Sequence, residues 1–226
     1  MFLLHSPCGF RVALNLEACR IASMVTLKRD FLSLSFYTRE KRKGEAVKNK
    51  CGRDFLYYAL NYHLPHLYST SKLNPLRIDR EHLFGTPVPS WLAWTQIQFF
   101  NLAPFLRTHH LSLKINDKKI AGNTSLFSAI LFSRKDYDEA MWLVETSIQE
   151  DRTVGIDVSL GCGGLLDHVM FVYGFDAENV YVIDTHRVPG LEYIPVEDSQ
   201  HYFRLPKSVI RDRWTRFGRV WEVCKT

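Results

Sequence analysis

Apolar residues recur at spacings of three and four between Arg53 and Tyr62, where Phe55, Leu56, Ala59 and Leu60 share one side of a predicted amphipathic helix. Pro65 stops it. The same period returns from Asp136 to Gln149, with Tyr137, Ala140, Met141, Val144 and Ile148 on one face and Asp136 near the start. A third helix is expected from Trp91 to about Phe100, capped by Ser90 and apolar nearly all round. His110–Ile115 alternates like a strand and runs into the turn residues Asn116 and Asp117.

The last third changes character. Thr153–Val158, His168–Phe175, Asn179–Asp184 and Leu191–Val196 read as strands, with Val220–Val223 as a final one. A glycine-rich turn, Gly161-Cys162-Gly163-Gly164, and a short turn, Asp176-Ala177-Glu178, separate the first three. Pro206–Phe217 reads as a helix with its proline just inside the start. Near the beginning, Phe10–Ala18 fits a short helix and Phe31–Phe36 a strand, while Ser125–Phe132 is apolar without a deciding period. Helices early and an antiparallel sheet late predict an α+β domain. No linker or repeat divides the chain, so residues 1–226 are read as one domain. Prolines and glycine at 65, 75, 85, 87 and 89 mark an irregular stretch within an insertion at about 64–125.

Composition narrows the classes. With 46% hydrophobic and 13% aromatic residues, the chain can bury a sizeable core. The net charge of +5 is mild, and its one cluster, Lys41-Arg42-Lys43 with Lys48 and Lys50, lacks the aromatic interleaving of a nucleic-acid platform. No nucleic-acid partner is expected, and no apolar run is long enough to span a membrane. Five scattered cysteines without framework spacing point to a reducing, cytoplasmic setting. No pattern of ligands predicts a metal or cofactor: His109-His110 has no companions, and Gly161-Cys-Gly-Gly lacks the residues of a phosphate loop.

The candidate chemistry lies in three residues. Cys51, followed by Gly52, stands at the head of the helix, where unpaired N–H groups and the axial dipole favour a thiolate. Its N–H is a candidate oxyanion donor, and Gly52 lets a substrate backbone approach. His168 opens one strand and Asp184 ends the next. With a three-residue turn at 176–178, Asp184 lies opposite Met170, one diagonal step from His168 and within reach of a side-chain hydrogen bond. A carboxylate so placed orients an imidazole and supports its charged form. A slip of one residue would separate them onto opposite faces. Each residue alone has a plainer reading: a buried small hydrophobe, a strand-end histidine bonded to a carbonyl, a turn-capping aspartate. Cys162 is a rival thiol, but it lies in a turn rather than at a helix start.

Asn49-Lys-Cys51-Gly-Arg-Asp-Phe-Leu-Tyr-Tyr-Ala-Leu-Asn-Tyr62 resembles the Cys-Gly helix start of C39-like peptidases, a papain-like family that includes the double-glycine leader peptidases of bacteriocin exporters. The segment from Asp167-His168 to Asp184 resembles that family's block of histidine, strand, turn and strand ending in aspartate, and Leu205–Trp214 is similar to its closing helix. The resemblance implies a papain-like fold, with the cysteine helix packed on an antiparallel sheet that carries histidine and aspartate. It implies a cysteine peptidase, amidase or acyltransferase acting on a peptide or protein through Cys51, His168 and Asp184. Two positions depart from the family pattern. Glu45 stands where a glutamine donates to the oxyanion, with Asn49 the nearest amide, and Thr185 follows Asp184 where proline is common. A carboxylate at position 45 repels an oxyanion, so the alternative is an inactive relative of that fold that binds a peptide or protein partner.

Overall fold

The computed structural model describes residues 24–27, 51–65, 106–122, 125, 128–129, 133–160, 167–184, 187–196, 202–214 and 218–226. The helices expected at Phe10–Ala18 and from Trp91, and the strand expected at Phe31–Phe36, lie outside these residues. The described part is α+β: helices α1 (Cys51–His63), α2 (Tyr137–Gln149) and α3 (Lys207–Asp212) accompany nine strands of one antiparallel sheet. These strands are β1 (Val25–Thr26), β2 (Leu111–Ile115), β3 (Lys118–Lys119), β4 (Thr153–Ser159), β5 (Asp167–Phe175), β6 (Asn179–Ile183), β7 (Ile194–Pro195), β8 (Tyr202–Pro206) and β9 (Val220–Lys225). Their order is β3-β2-β9-β4-β5-β6-β8-β7, with β1 pairing on β5.

Local chemistry explains the element ends. The Asp136 carboxylate caps α2 by accepting from the Glu139 N–H at 2.9 Å. At the other end Asp151 takes a left-handed φ of 61°, and two N–H groups turn back onto the helix, Asp151 to Ile148 and Arg152 to Ser147. Asn116 and Asp117, both at positive φ, close the β2–β3 hairpin. That hairpin lies within the span expected as an insertion, yet β2 pairs along its whole length with β9.

The helices cover opposite faces. Phe55 of α1 packs on Phe171 and Trp221, with ring centroids 6.0 and 6.4 Å away. Ser147 of α2 donates to Glu222, the neighbour of Trp221, and adjacent residues of a strand point to opposite sides. Helix α1 was expected to be amphipathic. Its apolar residues Phe55, Leu56, Ala59 and Leu60 are buried as that reading has it, and so are Tyr58, Asn61, Tyr62 and His63. Two of them bond inside the protein: His63 Nε2 donates to the Val223 carbonyl at 2.9 Å, and the Tyr62 hydroxyl donates to Asp151.

Two element boundaries depart from the sequence reading. The helix expected at Pro206–Phe217 covers only Lys207–Asp212, with Pro206 as its cap rather than its first residue. Arg213 and Trp214 leave it because Trp214 bridges to Val158 and its indole donates to the Lys135 carbonyl at 3.0 Å. The strand expected at Leu191–Val196 is only Ile194–Pro195, because Leu191 is drawn into the core and its N–H bonds to Val188. Strand β8, which no reading anticipated, lies between β6 and β7.

Register decides where the candidate residues meet. At the β5–β6 turn Phe175 pairs with Val180, one residue later than a three-residue loop gives. A β-bulge at Tyr173 absorbs the extra residue, and the pairing resumes as Val172 with Val182 and Phe171 with Ile183. Carried one pair further, that register sets Asp184 opposite Met170, as the shorter loop does.

Gly155 leaves the gap that Phe55 fills: a Cβ there would stand 2.7 Å from Phe55 Cδ2 and 3.1 Å from the Met170 carbonyl. Gly155→Ala is expected to cost about 1–3 kcal/mol through overpacking. Urea denaturation should show a lower midpoint at an unchanged slope. An unchanged midpoint would mean that Phe55 is not held against the sheet at this point.

Candidate functional site

Cys51 is the first residue of α1 and lies against the core, half-buried. Its neighbours are fixed by α1 seating on β5, so the thiol comes up beside the start of that strand. His168, the second residue of β5, is 3% exposed and lies within hydrogen-bonding reach of the Cys51 thiol. Its Nε2 donates to Asp184 Oδ1 at 3.0 Å, which leaves Nδ1 for the side of the thiol. Asp184, just past the end of β6, is equally buried. The structure therefore brings Cys51, His168 and Asp184 together in that order. A cavity of about 10 Å³ lies among them, walled also by Phe55, Tyr58 and Phe171. That is room for about one water molecule.

Electrostatics favour a charged imidazole. Burial works against it, but the hydrogen bonds to Asp184 and Cys51 and their charges outweigh burial, pushing His168 up to about 10. The ring is then cationic at neutral pH.

Two features of the site were not legible from spacing. The first is Tyr193, whose hydroxyl donates to the second oxygen of Asp184, Oδ2, at 2.5 Å. Nothing local marks it, because a loop and a short strand carry it back over Asp184. The second is a buried ionic group beside His168. Arg219 donates through Nε to Asp157 Oδ2 at 2.5 Å and through its other arm to Asp167, while the Trp221 indole donates to Asp157 Oδ1 at 3.1 Å. One guanidinium thus serves two carboxylates. Burial, then the Asp157 charge, push Asp167 up to about 7, and Arg219 only partly offsets them. Asp167 Oδ1 has no hydrogen-bond partner among the described residues, which suits a carboxyl that carries a proton.

Glu45, Asn49 and Cys162 lie outside the described residues. His109 and His110 sit in the turn before β2, with the His110 carbonyl accepting from the Thr226 N–H. Among the described residues no helix is long and apolar enough to cross a membrane. No family model matches the chain, and a search of curated proteins found no match.

Both titrations have a stability consequence. His168 is raised above its unfolded value, so its contribution is full below about pH 6.5 and is lost as pH rises through about 10. Asp167 is also raised, so its contribution is full below about pH 3.8 and is lost as pH rises through about 7. Urea midpoints measured across pH should therefore lose the slope between about 4 and 7 in Asp167→Asn, and the slope between about 6.5 and 10 in Asp184→Asn. Parallel curves for wild type and variants would contradict these assignments.

Proposed function

We propose that the chain is a papain-like, C39-like cysteine enzyme that acts on a peptide or amide bond. One observation carries this reading: a thiol at the first residue of a buried helix faces a histidine whose other nitrogen is held by a buried aspartate. These are the parts of an activated nucleophile, its base and the base's orienter. Cys51 Sγ, as thiolate, attacks the carbonyl carbon, and the carbonyl π electrons move to oxygen. The Cys51 N–H, one of the first-turn groups to which a helix itself gives no carbonyl, helps hold that oxyanion. His168 gives its proton to the leaving amine as the C–N bond breaks, leaving a thioester. Water, or a second amine, then attacks the thioester. His168 takes the proton and the C–S bond breaks. Asp184 keeps Nε2 protonated throughout, so that Nδ1 is the nitrogen that exchanges protons. A reducing compartment suits this chemistry, since an oxidised thiol is no nucleophile.

A second reading, a fold relative that binds a peptide or protein without turnover, is favoured by Glu45 and by the small space beside Cys51. Alkylation with iodoacetamide across pH, located by mass spectrometry, separates the two. Cys51 is expected to label rapidly near neutral pH, faster than Cys224, and to slow by tenfold or more in His168→Ala. A Cys51 that is inert, or whose labelling ignores His168, would overturn the enzyme reading.

A further inference from the structure

Tyr193 has no part in the steps above, yet both polar ends of its hydroxyl are assigned. The oxygen accepts the Val188 N–H at 3.0 Å, and the proton faces Asp184 Oδ2 at 2.5 Å. Met170 Sδ, 3.6 Å away, is a far weaker acceptor than a carboxylate, so the single proton goes to Asp184. The segment carrying it, residues 187–196, is pinned at several points. Val188 and Leu191 are buried, Gly190 at φ 77° offers its carbonyl to Arg213, and β7 pairs with β8. The Tyr193 ring stands edge-on to Phe203, with centroids 4.9 Å apart.

We propose that Tyr193 is a positioning residue of this site, holding the Asp184 carboxylate in the one orientation from which its other oxygen reaches His168. The proposal rests on the catalytic reading of Cys51, His168 and Asp184. Asp184 is then clamped between two donors on different elements, His168 on β5 and Tyr193 on the returning loop. The hydroxyl keeps its proton: burial and the Asp184 charge raise it well above the ordinary tyrosine range, against a smaller pull from Arg187. The charged groups facing the pair are Cys51 and Asp184 on the imidazole, Arg187 on the phenol, and Asp157, which senses the charge of His168.

The clamp also sets how tightly the imidazole holds its proton. When His168 is neutral, the Asp184 charge has Tyr193 to support it. Without the hydroxyl that state is disfavoured, and His168 keeps its proton to higher pH. Tyr193→Phe keeps the ring against Phe203 and removes only the donor. In the full chain, the His168 ring C–H titration followed by NMR should move up by about 0.5–1 pH unit, as expected for loss of one hydrogen bond to a charged group. Replacing Tyr193 with 3-fluorotyrosine, a stronger donor that retains the hydroxyl, should move it down. The fluorinated variant alone decides the matter if Tyr193→Phe fails to fold. An unmoved midpoint overturns the positioning role. Iodoacetamide labelling of wild-type Cys51 in parallel keeps the two ideas apart. An inert Cys51 sinks the catalytic reading, whereas a reactive Cys51 with an unmoved His168 midpoint sinks only the role of Tyr193.

Discussion

The site depends on one apolar contact: the Phe55 ring set into the gap above Gly155, against Phe171 and Trp221. Helix α1 holds few options once that ring is seated, because its described side chains from Phe55 to His63 are buried. At its far end His63 and Tyr62 bind the Val223 carbonyl and Asp151, fixing the axis at a second place. A helix held at both places cannot slide along the sheet, and Cys51 stands one turn before Phe55. The thiol's position beside His168 is therefore a property of the core.

The polar side of the site is set by register. A turn one residue longer than expected and a bulge at Tyr173 compensate each other, so Asp184 keeps its place near His168. Either change alone would carry Asp184 to the other face of the sheet. Around that pair the molecule tolerates an unusual density of buried charge. Asp157, Asp167 and Arg219 form a group with one more carboxyl than guanidinium, and the proton on Asp167 relieves the excess at neutral pH and below.

The sequence was legible where physics is local. Asp136 and the face from Tyr137 to Ile148 specify α2 through a cap and a 3.6-residue period. Asn116-Asp117 specifies a hairpin through positive φ. Cys51, His168 and Asp184 were picked out because helix start, strand start and strand end are positions that pattern can mark. What escaped was tertiary. Within helix α1 the polar residues Asn61 and His63 are buried with the apolar ones, and His63 finds its partner in the distant Val223 carbonyl. Helix α3 is short because Trp214 prefers a bridge to Val158, a contact invisible from the helix's own residues. Tyr193 joins Asp184 only because a loop folds back, and Arg219 serves two carboxylates that lie 62 and 52 residues away.

Strand β9 follows every other strand described, yet it lies between β2 and β4. The β2–β3 hairpin thus has no place in the sheet until β9 arrives, and β4 has an open edge until then. During synthesis both edges wait, unpaired, while the ribosome adds more than a hundred further residues after β2. Folding of this sheet is consequently rich in long-range pairing, which predisposes it to slow closure. The last strand acts as the keystone of an arch, and until it is laid the Phe55 seat, which includes Trp221 of β9, is missing one wall.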